Sequence, residues 1–196
     1  MGQPAFSDPH DSISGRGLAL KFAIMKKARL TLAALMLFAL AFANAAKTTN
    51  IKVELKDAQG KSVGIAVISE KTSGVAIRLD LHGLPPGKHA IHFHQNASCT
   101  PPDFESAGPH FNPDHKKHGF MNPEGHHAGD MNNFSVDSNG NAKATVLDKD
   151  VSLGSGSHSL FSNGGTALII HAKADDMKTD PAGNSGDRIA CGPITK

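Results

Sequence analysis

The sequence predicts an all-β fold, an antiparallel sandwich or barrel with two long functional loops. Three observations lead there. Short runs of Val, Ile and Leu alternate with polar residues. The chain has 20 glycines and 11 prolines with those short runs between them, which favours strands and turns over long helices. Two stretches, residues 95–132 and 173–187, sustain no period at all and read as loops.

Taken in order, the chain begins with residues 1–24, which read as neither leader nor fold; an internal start at Met25 accounts for them. Met25-Lys26-Lys27-Ala28-Arg29 is a basic start, Leu30 to Ala43 is an apolar run, and Ala43-Asn44-Ala45 is a small-x-small cleavage site. Together residues 25–45 read as a secretory signal peptide. The run falls short of the roughly 20 apolar residues of a membrane-spanning helix, so no stable membrane anchor is expected after cleavage. The expected mature part, residues 46–196, suits one domain with a substantial core. Its expected location is the periplasm or the extracellular space. Arg16, Lys21, Lys26, Lys27, Arg29, Asp8 and Asp11 lie upstream, so 15 bases face 16 acids in the mature part, a net charge of −1. That balance excludes a globally basic nucleic-acid binder, and attraction for an anion must be local.

Ile51, Val53 and Leu55 alternate with charged neighbours. Asp57-Ala58-Gln59-Gly60 then turns the chain, and residues 61–70 repeat the alternation, which makes a hairpin. Val75 to Leu81 continues the pattern, Gly83-Leu84-Pro85-Pro86-Gly87 breaks it, and His89 to His94 is the next strand. Beyond the first loop, Phe134 to Val136, Ala142 to Leu147, Ala167 to Ala172 and Arg188 to Ile194 read as strands.

The chemistry gathers around His92-Phe93-His94. On a strand, alternate side chains share a face, so His92 and His94 point one way while Ile91 and Phe93 point into a core. With His171, from another strand, they make a stiff, relatively exposed imidazole site of the sort copper uses. His110, His118, His127 and Asp130, all in the first loop, have the three-His, one-carboxylate composition of tetrahedral zinc. His82, His89, His115, His126 and His158 read as surface or hydrogen-bonded side chains. Cys99 and Cys191, the only two cysteines, both lie in the exported part, where a distant pair forms one disulfide.

Five motifs carry a resemblance: His92-Phe93-His94, Gly108-Pro109-His110-Phe111-Asn112-Pro113, His127-Ala128-Gly129-Asp130, Gly164 through Asp176, and Gly183 through Gly192. The sequence resembles copper,zinc superoxide dismutase of the exported bacterial type, from about Thr48 to Ile194. The resemblance implies an eight-stranded Greek-key barrel, with one copper and one zinc ion per chain. It further implies dismutation of superoxide to dioxygen and hydrogen peroxide, which would protect the cell envelope. Carried over by residue, His92, His94, His110 and His171 would hold copper, and His110, His118, His127 and Asp130 would hold zinc, with His110 bridging as imidazolate. Asp175 would accept hydrogen bonds from one histidine of each set. Arg188 would be the catalytic cation beside copper, and Cys99 with Cys191 the family disulfide. Lys116, Lys117, Lys173 and Lys178 are candidates for an outer ring that steers the anion. A homodimer is compatible with the resemblance, whose members pair through different surfaces. Two positions depart from the pattern: Ala182, where threonine is frequent, and Asp187, where a small neutral residue is. Neighbours on a strand point to opposite faces, so Asp187 need not approach the copper.

Overall fold

A computed structural model of the chain describes residues 50–196, and Gly2 besides. The upstream extension and the signal peptide expected at 1–45 lie outside the described residues. No helix among the described residues is long and apolar enough to cross a membrane.

The alternation read from the sequence becomes strands where expected. β1 (Asn50–Lys56), β2 (Ser62–Glu70), β3 (Val75–Leu81), β4 (Gly87–His89) and β5 (Ile91–His94) precede the first loop. β6 (Phe134–Val136), β7 (Ala142–Asp148), β8 (Thr166–His171) and β9 (Arg188–Ile194) follow it. A single strand was expected over 89–94, but it changes partner at Ala90. β4 pairs with β6, whereas β5 pairs with β8. The large sheet runs β5-β8-β9-β1-β2-β3-β7, antiparallel throughout. The Asp137–Asn141 turn joins β6 to β7, and β4 runs into β5, so the β4–β6 ribbon links the two ends of the sheet and curls it into a barrel.

The main core is the inner face of that barrel: Leu55, Ile68, Ile77, Leu79, Ile91, Phe93, Leu168 and Ile170, with Met131 entering from the loop. Burial of this apolar surface is the main favourable contribution to folding. Every residue of β5 and β8 is buried, on both faces. Ile91 and Phe93 pair with Ile170 and Leu168 on the inner side, whereas His92 and His94 pair with Ile169 and Ala167 on the other. Ala167 and Ile169 pack under a second, smaller core of Phe104, Ala107 and Cys191. The Cys99–Cys191 disulfide, with its Cα atoms 5.7 Å apart, ties that loop to β9. Gly192 permits close approach of β9 to β1, because a Cβ there would meet the Val53 side chain at 2.5 Å.

Candidate metal centre

β5 is an edge strand, and unpaired edges need cover. The first loop supplies it by hydrogen-bonding Phe93 from both sides. Phe93 N–H donates to the Gly129 carbonyl at 3.0 Å, and the Phe93 carbonyl accepts from Phe111 N–H at 2.8 Å. These bonds lay the chain around His110 and Asp130 beside His92 and His94. His171, two residues beyond Ile169, continues the outer face of β8. Strand register and edge pairing thus bring five of the seven expected ligands together, and His118 and His127 come in on the same loop.

Two sets of four result. One ligand atom each from His92, His94, His110 and His171 lie within 4.8 Å of one another, as do those of His110, His118, His127 and Asp130. All seven side chains are buried, so the expectation of a relatively exposed copper-type site is corrected. Strand alternation shows which side chains share a face but not that loops cover the face.

In the first set, each ring has one nitrogen committed and one left over. His94 Nδ1 donates to the Gly108 carbonyl at 2.8 Å, His171 Nδ1 to the Gly186 carbonyl at 3.1 Å, and His92 Nε2 to Asp175 Oδ2 at 2.9 Å. His110 Nδ1 lies 2.9 Å from Asp130 Oδ1. The remaining atoms, His92 Nδ1, His94 Nε2, His110 Nε2 and His171 Nε2, are buried without a hydrogen-bond partner among the described residues. Buried polar atoms are ordinarily paired, so four orphans aimed together indicate a cation's place. Burial pulls His92 and His171 down to about 4 and His110 to about 3, and drives His94 well below its ordinary value. All four rings are therefore neutral at pH 7, as metal ligation requires.

The second set is tighter. Asp130 Oδ1 lies 2.9 Å from His110 Nδ1, 3.0 Å from His118 Nδ1 and 3.4 Å from His127 Nδ1, and the His127 and His110 Nδ1 atoms are 3.3 Å apart. A tetrahedron with such edges has its centre about 2 Å from each corner, which is the bond length of tetrahedral zinc. Asp130 Oδ2 is held by the backbone N–H groups of Gly119 and His127. Burial opposes ionisation of Asp130, but hydrogen bonds from the three histidines keep its carboxyl far below the usual range. Burial likewise opposes charge on His118, yet Asp130 and Asp175, one at each ring nitrogen, raise it to about 9. The second set is therefore a strong seat for positive charge.

Asp175 joins the two sets. Its Oδ2 accepts from His92 Nε2 and its Oδ1 from His118 Nε2 at 3.0 Å, which leaves each ring's Nδ1 for a metal. Residues that the sequence did not single out hold it there. Asn133 exchanges two hydrogen bonds with the Asp175 backbone, at 2.8 and 2.9 Å, and Met177 N–H donates to Oδ1 at 2.6 Å. At Gly183 a Cβ would collide with the Asp175 carboxylate and lie 2.8 Å from His118 Nε2, so only glycine fits. His89, read as an ordinary hydrogen-bonded side chain, is one, with its ring nitrogens 2.8 Å from the carbonyl oxygens of His171 and Pro85.

A cleft of about 730 Å³ opens onto the first set; His94, His110, His171 and Arg188 line it, as do Ala182 and Asp187. Arg188 Nη1 donates to the Phe104 carbonyl at 2.7 Å. Asp187 precedes β9 and is not part of a strand, so strand alternation does not decide which way it faces. None of Lys116, Lys117, Lys173 and Lys178 is among the described residues lining the cleft. The aliphatic stem of Lys173 runs beside Gly186, which does line it.

The sequence profile of the copper/zinc superoxide dismutase (SODC) family matches residues 62–194. Superoxide dismutase [Cu-Zn] 2 of Aquifex aeolicus (strain VF5) is 52% identical over 143 residues, covering 72% of this chain and 84% of that protein. Superoxide dismutase-like protein YojM of Bacillus subtilis (strain 168) is 44% identical over 145 residues, covering 72% and 74%. The crystal structure of a SOD-like protein from Bacillus subtilis superposes with a TM-score of 0.71 at 42% identity, over 73% of this chain and 97% of that one. Cu/Zn superoxide dismutase from Brucella abortus superposes with a TM-score of 0.63 at 29% identity, over 74% and 99% of the two chains. With two adjoining ligand sets that fit one copper and one zinc, the chain belongs to the copper/zinc superoxide dismutase family of oxidoreductases.

Proposed function

We propose that the chain dismutes superoxide to dioxygen and hydrogen peroxide with copper held by His92, His94, His110 and His171, and zinc by His110, His118, His127 and Asp130. His110, common to both sets, would be shared by the two metals as imidazolate. The four orphaned nitrogens carry this reading, since nothing else among the described residues accounts for them. When bound, copper supplies a one-electron couple, and zinc, which has no redox chemistry, supplies charge and geometry. The chain does the rest. Backbone carbonyls and Asp175 fix the ring tautomers, and the two buried faces of β5 and β8 keep the rings from turning. When copper does not hold it, His110 Nε2 would carry the proton that leaves with peroxide, while its Nδ1 stays on the Asp130 side. Arg188, a permanent cation at the cleft, meets the incoming anion.

Export to the cell envelope, through the leader read at 25–45, places the enzyme where a Cys99–Cys191 disulfide persists and where it protects against oxidative damage. The test is a superoxide-consumption assay on protein loaded with both metals. Dismutation is expected, with Arg188→Ala slower at unchanged copper and zinc content. Stoichiometric copper without dismutation would overturn the reading.

A further inference from the structure

The charges lining the cleft do not suit an anionic substrate. Arg188 is the one cation among the described lining residues, and Asp103, Glu105 and Asp187 line the same cleft. The outer lysines do not redress the balance: Lys116 pairs with Asp114 at 3.9 Å, and Lys117 with Asp180 at 3.5 Å. Of the three carboxylates, Glu105 has a specific partner, its Oε2 lying 3.9 Å from Arg188 Nη2.

That approach is built into the backbone. Phe104 adopts a left-handed conformation, with φ of 57°, and its ring is buried in the small core beside Cys191. The same residue's carbonyl accepts from Arg188 Nη1, and Asp103 Oδ1 accepts from Glu105 N–H at 3.0 Å. The main chain leading into Glu105 is therefore held against Arg188 and β9. The Glu105 side chain is 74% exposed against 15% for Arg188. Such an exposed pair contributes little to folding, so its consequence lies in the field at the cleft.

We propose that Glu105 is a positioning residue that restrains anion capture, its carboxylate sharing the Arg188 guanidinium and lowering the rate at which superoxide enters. This rests on the reading that Arg188 meets the substrate. Removing one unit charge about 8 Å from a monovalent anion across water changes an encounter rate about twofold.

The test compares wild type, Glu105→Gln, Arg188→Ala and the double variant as metal-loaded proteins. Two quantities are read: kcat/KM against ionic strength, and the affinity for azide followed by the copper absorption band. Glu105→Gln is expected to raise kcat/KM about twofold at 0.01 M salt, the gain shrinking toward 0.15 M as the Debye length falls from about 30 to 8 Å. It is expected to tighten azide binding by a similar factor. In the Arg188→Ala background the same substitution is expected to add nothing. If Glu105→Gln matches wild type in both readouts while Arg188→Ala is slow, the role of Glu105 is overturned and that of Arg188 stands. A full gain retained in the double variant overturns the route through Arg188. An Arg188→Ala variant as fast as wild type overturns the underlying reading.

Discussion

Asp175 gives the sharpest test of how the two ligand sets are held. Its carboxylate accepts from His92 Nε2 at 2.9 Å and from His118 Nε2 at 3.0 Å, and a carboxylate can do both because each oxygen is an acceptor. Asparagine has one acceptor and one donor. In Asp175→Asn the amide oxygen can serve one ring, while the amide NH2 meets the N–H of the other. That ring must turn away or move its proton to Nδ1, and either removes a metal ligand. A lost charge-assisted hydrogen bond costs about 1.5–3 kcal/mol, which agrees with the 10–100-fold loss of affinity usual when a ligand's supporting partner is removed. Asp175→Asn should therefore weaken one metal site by about 10–100-fold, and Asp175→Ala should weaken both. Copper and zinc affinities measured separately, by competition with chromophoric chelators, decide it. Asn and Ala variants that both bind each metal within about twofold of wild type would show that Asp175 does not set the ring orientation.

The Cys99–Cys191 bridge spans 92 residues, for which loop-closure entropy gives about 4.6 kcal/mol and engineered experience 2–4. Cys99→Ser with Cys191→Ser should lower unfolding stability within about 2–5 kcal/mol in urea melts, and unchanged stability would count against it. Burial pushes the Asp148 carboxyl up to about 8; its Oδ1 accepts from Asp150 N–H while Oδ2 has no partner. A carboxyl with a folded pKa above its unfolded value of about 3.9 stabilises fully below that value and loses its contribution as pH rises to the folded pKa. Relative to Asp148→Asn, wild type should lose about 1.4 kcal/mol per pH unit between those limits, so parallel stability profiles would refute the assignment. Chelating both metals should lower Tm, since ligands that bind only the folded chain stabilise it, and identical apo and holo melts would contradict that.

The strands were legible because period-two alternation reports one buried face directly: Val53 with Leu55 and Ile77 with Leu79 both fall where it puts them. The residues that gather into the two sets were legible because motif spacing and family resemblance name them. Less visible was what depends on chain segments distant in sequence. No local pattern says that Asn133 will brace Asp175, or that the carbonyl of Phe104 will aim at Arg188. Nor does alternation show that loops bury the outer faces of β5 and β8. Alternation could not place Asp187 either, because it lies just before the strand that begins at Arg188.

His110 belongs to both ligand sets, its Nε2 in the first and its Nδ1 in the second. Two binding sites that share an imidazole are one thermodynamic unit. Whatever factor the occupant of one changes the affinity of the other by, the reverse effect must be equal. An isotherm for either metal is then a property of the pair, defined only at a stated occupancy of its neighbour. The order of loading consequently alters the rate of assembly without altering the total free energy released.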